Sequence, residues 1–227
     1  MTMSVRTAAE ARPLGRVFRL PGVYRPQEDT ALLSGVLAAD TSIGCGKRCA
    51  DLGTGSGALA IALARTGATV VAADISMRAL ASAWMNTVLR ALPIGLIRGG
   101  LPETVEAGPY DVVAANPPYV PSPAPAVRSS RAWDAGPDGR AMLDPLCAAA
   151  PSLLTRTGAL YLVQSTMSDV DKTRFALAAG GLRSEVVARA EVPFGPVVSG
   201  RLDYLIDRGF VRPGERTEEL VVLRAAR

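Results

Sequence analysis

Tyr110-Asp111-Val112-Val113-Ala114-Ala115-Asn116-Pro117-Pro118-Tyr119 is an apolar run cut off by two prolines. A run of that length ended by breakers fits a strand buried on both faces. Proline has no N–H and a fixed φ, so two in succession forbid both helix and ladder directly after the strand. The carbonyls of Asn116 and Pro117 are thereby left without a secondary-structure partner. Asn116 adds an amide that both donates and accepts, and Tyr119 adds a flat ring. A planar –NH2 group would find oxygens there for its hydrogens and an aromatic surface for its face. Asn-Pro-Pro alone also fits an ordinary turn, so the surrounding chain has to decide.

Upstream, Arg48-Cys49-Ala50-Asp51-Leu52 reads as a strand, Gly53-Thr54-Gly55-Ser56-Gly57 as a tight turn and Ala58 to Arg65 as a helix. Glycines let the backbone turn sharply and approach a ligand closely, and a helix N-terminus offers free N–H groups. Gly53-x-Gly55-x-x-Ala58 satisfies a permitted dinucleotide variant, so the turn alone does not identify the ligand. Ala68 to Asp74 is a second buried strand ending in an acid. Asp74 follows Gly57 by 17 residues, near the spacing of about 20 expected for a carboxylate on a ribose diol. It either caps the next helix or holds a ribose, and the glycine turn before it favours the ribose.

The rest alternates in the same way. Glu28 and Asp29 open an amphipathic helix running to Leu37, where the helix dipole favours acids; alternatively this N-terminus faces a cofactor pocket. Ser76 caps a helix whose Met77, Leu80, Ala81, Trp84 and Val88 keep the helical period, which puts Trp84 in the core. Further strands are expected at Ile94 to Ile97, Gly158 to Gln164, Leu182 to Val192 and Glu218 to Leu223, the last antiparallel. Gly99-Gly100-Leu101-Pro102 reads as a loop. Residues 139–154 have a helical composition broken at Pro145 and Pro151. Asp169 to Ala178 and Leu202 to Asp207 are further helical segments, and residues 120–139 a substrate-side lid. Strands alternating with helices predict an α/β protein with a mostly parallel, doubly wound sheet. Residues 1–20 are expected to form a basic arm, and 21–227 a single domain.

Composition narrows the function. With 48% hydrophobic and 20% charged residues the chain is ordinary globular material. It has no apolar run long enough for a transmembrane helix. Residues 1–26 carry five arginines against one glutamate, which accounts for the whole net charge of +4. The remaining body is neutral and a poor general nucleic-acid binder, although the arm could touch RNA or an acidic protein. An Arg-rich, acid-poor start also has the composition of a transit peptide, but it runs without a break into the fold, and a cytoplasmic protein is expected. Cys45, Cys49 and Cys147 are too few for a disulfide framework and, with no histidine, for a metal site. The lack of histidine also removes the commonest general base.

Asp51-Leu52-Gly53-Thr54-Gly55-Ser56-Gly57 followed by Asn116-Pro117-Pro118-Tyr119 resembles the HemK-type class I S-adenosylmethionine-dependent methyltransferases. These are the glutamine N5-methyltransferases that modify release factors. Tyr24-x-Pro26-x-Glu28-Asp29-Thr30 and Asp138-Gly139-Arg140 are similar to the short branch of that family, which lacks an extra N-terminal helical domain. The likeness spans roughly residues 22 to 224. It implies a Rossmann-like seven-stranded sheet with an antiparallel C-terminal strand, and S-adenosyl-L-methionine as cofactor. Cofactor contacts are implied for Thr30, Asp51, Gly53, Thr54, Gly55, Gly57, Asp74, Ile75, Gly100, Leu101 and Asn116. Catalysis falls to Asn116, Pro117 and Tyr119, and substrate contact to these with Pro118. The family commonly has an acid for the adenine amino group where this chain has Gly100, with Glu103 a nearby substitute. The resemblance further implies a protein substrate such as a release factor and a small zinc-binding activator at a sheet edge. Its breadth also admits an exocyclic amine of DNA or RNA, a lysine, a small molecule, or a non-catalytic cofactor-binding module.

Overall fold

The computed structural model describes residues 15–123 and 135–227. Expectations for residues 1–14 of the arm and 124–134 of the lid lie outside them. The strands are β1 (Arg48–Leu52), β2 (Thr69–Asp74), β3 (Ile94–Arg98), β4 (Tyr110–Ala115), β5 (Leu154–Ser165), β6 (Arg183–Pro193) and β7 (Thr217–Ala226). They form one sheet in the order β3-β2-β1-β4-β5-β7-β6. The pairings among the first five strands are parallel, and β7 runs antiparallel between β5 and β6. This is the expected doubly wound plan with its reversed C-terminal strand.

The helices are α1 (Glu28–Ala39), α2 (Ala58–Ala64), α3 (Met77–Val88), α4 (Leu101–Glu106), α5 (Leu143–Leu153), α6 (Val170–Ala179), α7 (Pro196–Ser199) and α8 (Leu202–Asp207). α1 packs on α2, while α4, α5 and α6 pack in succession on one another. β4 occupies the middle of the sheet, and Val113 and Ala114 are wholly buried there. Its apolar run is thus explained by helices covering both faces of a parallel sheet. Register brings Leu52 level with Ala73 on one side and Ala115 on the other. The glycine turn and the Asn116-Pro117 break therefore leave the sheet side by side. That crevice, where the chain order reverses between β1 and β4, is where open α/β sheets take ligands.

Several expectations need correction. The stretch from Leu101 is the helix α4 rather than a loop, because Pro102 stands in its first turn, where no N–H is needed. α5 is continuous across Pro145 and Pro151: the first lies in the opening turn, and the second near the end costs a single helical bond. Trp84 is 53% exposed and not in the core. α3 instead buries Ser82 and Asn86, and these polar groups hold the preceding chain. Asn86 bonds both the N–H and the carbonyl of Phe18, at 2.8 and 2.7 Å, and Ser82 Oγ accepts from the Leu20 N–H. Residues 16–20 are thereby fastened along α3. No helix among the described residues is long and apolar enough to cross a membrane.

Candidate functional site

The turn after β1 is latched from two sides. The Gly53 and Thr54 N–H groups donate to the Ala73 carbonyl at 2.9 and 3.0 Å. Asp51, 1% exposed, accepts the Thr54 hydroxyl at 2.6 Å and the Ala60 N–H at 2.9 Å through Oδ2. Its Oδ1 is buried without a partner among the described residues. Burial, and to a lesser degree the Asp74 charge, push its carboxyl up to about 7 against the pull of those two bonds. Gly53 and Gly55 have φ of +71° and +55°, which side chains rarely adopt, and a Cβ on either would meet no atom closer than 4.0 Å. That leaves an open cradle for a close ligand. Gly57 serves packing instead, since its Cβ would stand 3.1 Å from Ala83 of α3.

Asp74 faces the same cradle. Its carboxylate accepts the Gly55 and Ser76 N–H groups at 3.0 and 2.8 Å. Those bonds hold it rigidly while lone pairs remain for hydroxyls. Beyond it Ile75 is 58% exposed, and a Cβ on Gly100 would lie 3.6 Å from its Cγ2. Glu103 is otherwise engaged: its Oε2 accepts the Gly100 N–H at 2.8 Å as a cap on α4. Bonds from backbone N–H groups, its own and that of Gly100, hold its carboxyl below the usual range. The expectation that Glu103 replaces the missing acid is therefore not supported by its placement.

On the other side of the crevice, Asn116 Nδ2 donates to Thr30 Oγ1 at 3.1 Å. Thr30 donates its N–H and its hydroxyl to Asp29 Oδ1, at 2.6 and 3.1 Å. Asp29 Oδ2 accepts the hydroxyls of Tyr24 and Tyr119 at 2.6 and 3.1 Å. Tyr119 is thus a buried wall of the site, pinned by its hydroxyl, and burial first of all raises its pKa well above the usual phenol value. No described residue donates to Asn116 Oδ1 or to the Pro117 carbonyl.

A cavity of about 650 Å³ joins these parts, within the range of small-molecule sites. Thr30, Thr54, Asp74, Gly100, Asn116 and Tyr119 all line it; so do Gly53, Gly55, Ile75, Leu101, Pro117 and Pro118, whereas Asp51 and Gly57 lie behind the wall. The electrostatics discriminate between ligands. The Ala60 N–H at the start of α2 is consumed by a buried carboxylate, a poor place for a pyrophosphate. A cofactor positively charged at that end and carrying a ribose fits this set of groups. Sequence reading missed a further wall made of Val192, Val197, Val198 and Glu218. Burial and then the nearby Asp29 charge raise the Glu218 carboxyl, against a bond from Ser165. Little signal was present: Glu218 shares a strand face with Leu220 and Val222, but Val221 and Leu223 are buried as well, so no alternation marks the inward side.

The chain is similar to several known proteins. The family model described as methyltransferase small domain matches residues 15–189. A Methanocaldococcus jannaschii protein, provisionally named a protein N5-glutamine methyltransferase, is 34% identical over 77% of this chain and 88% of its own length. The release factor glutamine methyltransferase of Rhodospirillum rubrum is 38% identical over 60% of this chain, which spans 44% of that protein. The solved E. cuniculi Mtq2–Trm112 complex, described as responsible for methylating the termination factor eRF1, has a TM-score of 0.62 at 23% identity. Coverage is 91% of this chain and 99% of that one, a likeness of fold.

Proposed function

The chain belongs to the methyltransferase small-domain family and is an S-adenosyl-L-methionine-dependent N-methyltransferase, and we propose that it methylates the side-chain amide nitrogen of a glutamine in a protein, a peptide chain release factor first among candidates. The observation that carries this reading is a pair of oxygens, Asn116 Oδ1 and the Pro117 carbonyl, that no described residue claims beside the glycine cradle.

Bound in the cradle, S-adenosylmethionine supplies an electrophilic methyl group on a positively charged sulfur. Gly53, Thr54 and Gly55 would hold its methionine end over the buried Asp51 carboxylate, and Asp74 its ribose hydroxyls. Ile75, Gly100 and Leu101 would offer backbone and apolar contacts to adenine, and Thr30 would close the pocket. An amide nitrogen is a weak nucleophile because its lone pair is shared with the carbonyl. Asn116 Oδ1 and the Pro117 carbonyl, accepting its two hydrogens, return electron density to nitrogen and aim it. Preorganised oxygens of this kind also stabilise the positive charge that arrives there, and Tyr119 and Pro118 confine the acceptor to the geometry of attack. No strong base is required beforehand, in keeping with a sequence without histidine. The proton leaves to solvent after transfer.

The partner reading rests on the sheet edge. β3 ends the sheet with Leu96 exposed, and α3, which packs on β3, exposes Trp84 and Val88, with Leu89 exposed just after it. A small activator protein that adds to this edge would cover them.

Incubation with isotope-labelled cofactor and candidate release factors, followed by mass mapping, tests the substrate. Label on a glutamine amide is the expected result; label on lysine, on nucleic acid or on nothing would overturn it. Asn116→Ala should retain cofactor binding and lose turnover by about two orders of magnitude.

A further inference from the structure

Asparagine's two amide ends are nearly the same size, and only hydrogen bonds decide which one meets a substrate. In this site the choice is forced by a chain of obligations that begins away from the cavity. Asp29 is 4% exposed and takes four donated hydrogens: from Tyr24, Tyr119, and the N–H and hydroxyl of Thr30. The backbone N–H can only donate, so an acceptor oxygen must face Thr30. Asp29 Oδ1 takes the single hydroxyl hydrogen of Thr30 as well as its N–H, so that hydrogen is committed to Asp29. The Thr30 oxygen can then only accept from Asn116, which must present its NH2 and not its carbonyl. The 3.1 Å contact from Asn116 Nδ2 to Thr30 Oγ1 is the last step.

We propose that Thr30, backed by Asp29, is the positioning residue of this active site: a one-way relay from Asn116 Nδ2 through the Thr30 hydroxyl to the Asp29 carboxylate keeps Asn116 Oδ1 turned toward the acceptor nitrogen. The proposal rests on the reading of the substrate as an –NH2 group. With Asn116 turned over, its own NH2 would meet that of the substrate, donors against donors, and one acceptor would be lost. Thr30 thus acts on the orientation of the nucleophile through Asn116, a role separate from closing the cofactor pocket. It also explains why an acid and a hydroxyl stand next to each other at the start of α1.

Thr30→Val replaces the hydroxyl with a methyl of equal size, and Thr30→Ser restores it. The valine variant should lose about tenfold in kcat at saturating cofactor, the scale of one neutral hydrogen bond, with Tm close to wild type. The serine variant should recover most of that loss. Independently of activity, the Asn116 side-chain amide protons, followed in 15N-asparagine-labelled protein, should exchange slowly in wild type and Thr30→Ser and fast in Thr30→Val. Unchanged turnover in the valine variant would overturn the proposal, as would a loss that tracks cofactor affinity or failure of serine to rescue. Should the valine variant not fold, exchange in the wild type still decides: amide protons exchanging like those of an exposed asparagine would overturn it. If no release factor is methylated by wild type, the substrate reading fails while the exchange measurement still judges the relay.

Discussion

A Cβ on Gly139 would stand 2.4 Å from the carbonyl oxygen of Tyr119, closer than any real side chain sits. Gly139 also holds φ at +77°. The end of the Asn116–Tyr119 segment is thus seated directly on a residue without a side chain. Gly139→Ala should destabilise the protein by roughly 3 kcal/mol, combining left-handed strain with overpacking. It should also reduce kcat, because relief of the clash moves Tyr119. Denaturant midpoints and steady-state kinetics check both, and a variant with wild-type values would show that the two segments are not rigidly coupled.

Arg140 anchors that seat. Its guanidinium is 2% exposed and donates to the Ser168 and Asp169 carbonyls and to Thr173, while pairing with Asp144 at 2.7 Å. Arg140→Lys keeps the charge but cannot reproduce the fork that reaches all of them. A loss of about 3 kcal/mol is expected, since carbonyls left buried without donors each cost about 1–3 kcal/mol. Chemical denaturation measures it directly; a loss near zero would mean that water replaces the fork.

Asn86 links the cradle to the N-terminal segment. Its Nδ2 donates to the carbonyls of both Phe18 and Ser56, and the side chain is fully buried. Asn86→Leu should cost on the order of 3 kcal/mol and weaken cofactor affinity as well, because the Ser56 carbonyl belongs to the glycine turn. Calorimetric titration with S-adenosylhomocysteine would show that second effect. Its absence would confine Asn86 to holding residues 16–20.

Asp51 predicts a pH dependence with a definite sign. Burial raises its pKa from 3.8 in the unfolded chain to about 7 in the fold. The fold therefore binds this proton more tightly, and the associated stability is complete below 3.8 and lost as pH rises to about 7. Asp51→Asn removes the titration and adds an offset independent of pH. Urea midpoints measured from acid to mildly alkaline pH should show wild type losing ground steadily against the variant. A constant gap between the two would contradict a raised Asp51 pKa in the fold.

How much of this was legible depends on whether local rules or packing decide. β4 could be read because an apolar run and two prolines leave one solution. The cradle could be read because positive φ demands glycine. α4 was hidden because proline breaks helices everywhere except the first turn, and sequence alone does not say where a turn begins. Trp84 was misplaced because the helical period gives spacing and not the buried side. That side of α3 is claimed by Ser82 and Asn86, polar groups satisfied only by residues 16–20. Glu218 escaped because nothing local to β7 reveals that its first inward position opens on a cavity.

Gly100 offers the most direct test of how the cofactor's base is held. The position has an ordinary φ of −110°, and a Cβ there meets only Ile75 Cγ2 at 3.6 Å, so a side chain is admitted without strain. It is also the N-cap of α4, where aspartate is favoured. Gly100→Asp should restore a carboxylate within reach of the adenine amino group and tighten S-adenosylhomocysteine binding by about tenfold, the scale of one charge-assisted bond. The inosine analogue, which lacks that amino group, should gain nothing. Calorimetry with both ligands separates the outcomes. Equal tightening of the two would mean the new acid acts only through the helix cap, and no tightening would mean that adenine does not lie over the Ile75–Leu101 wall.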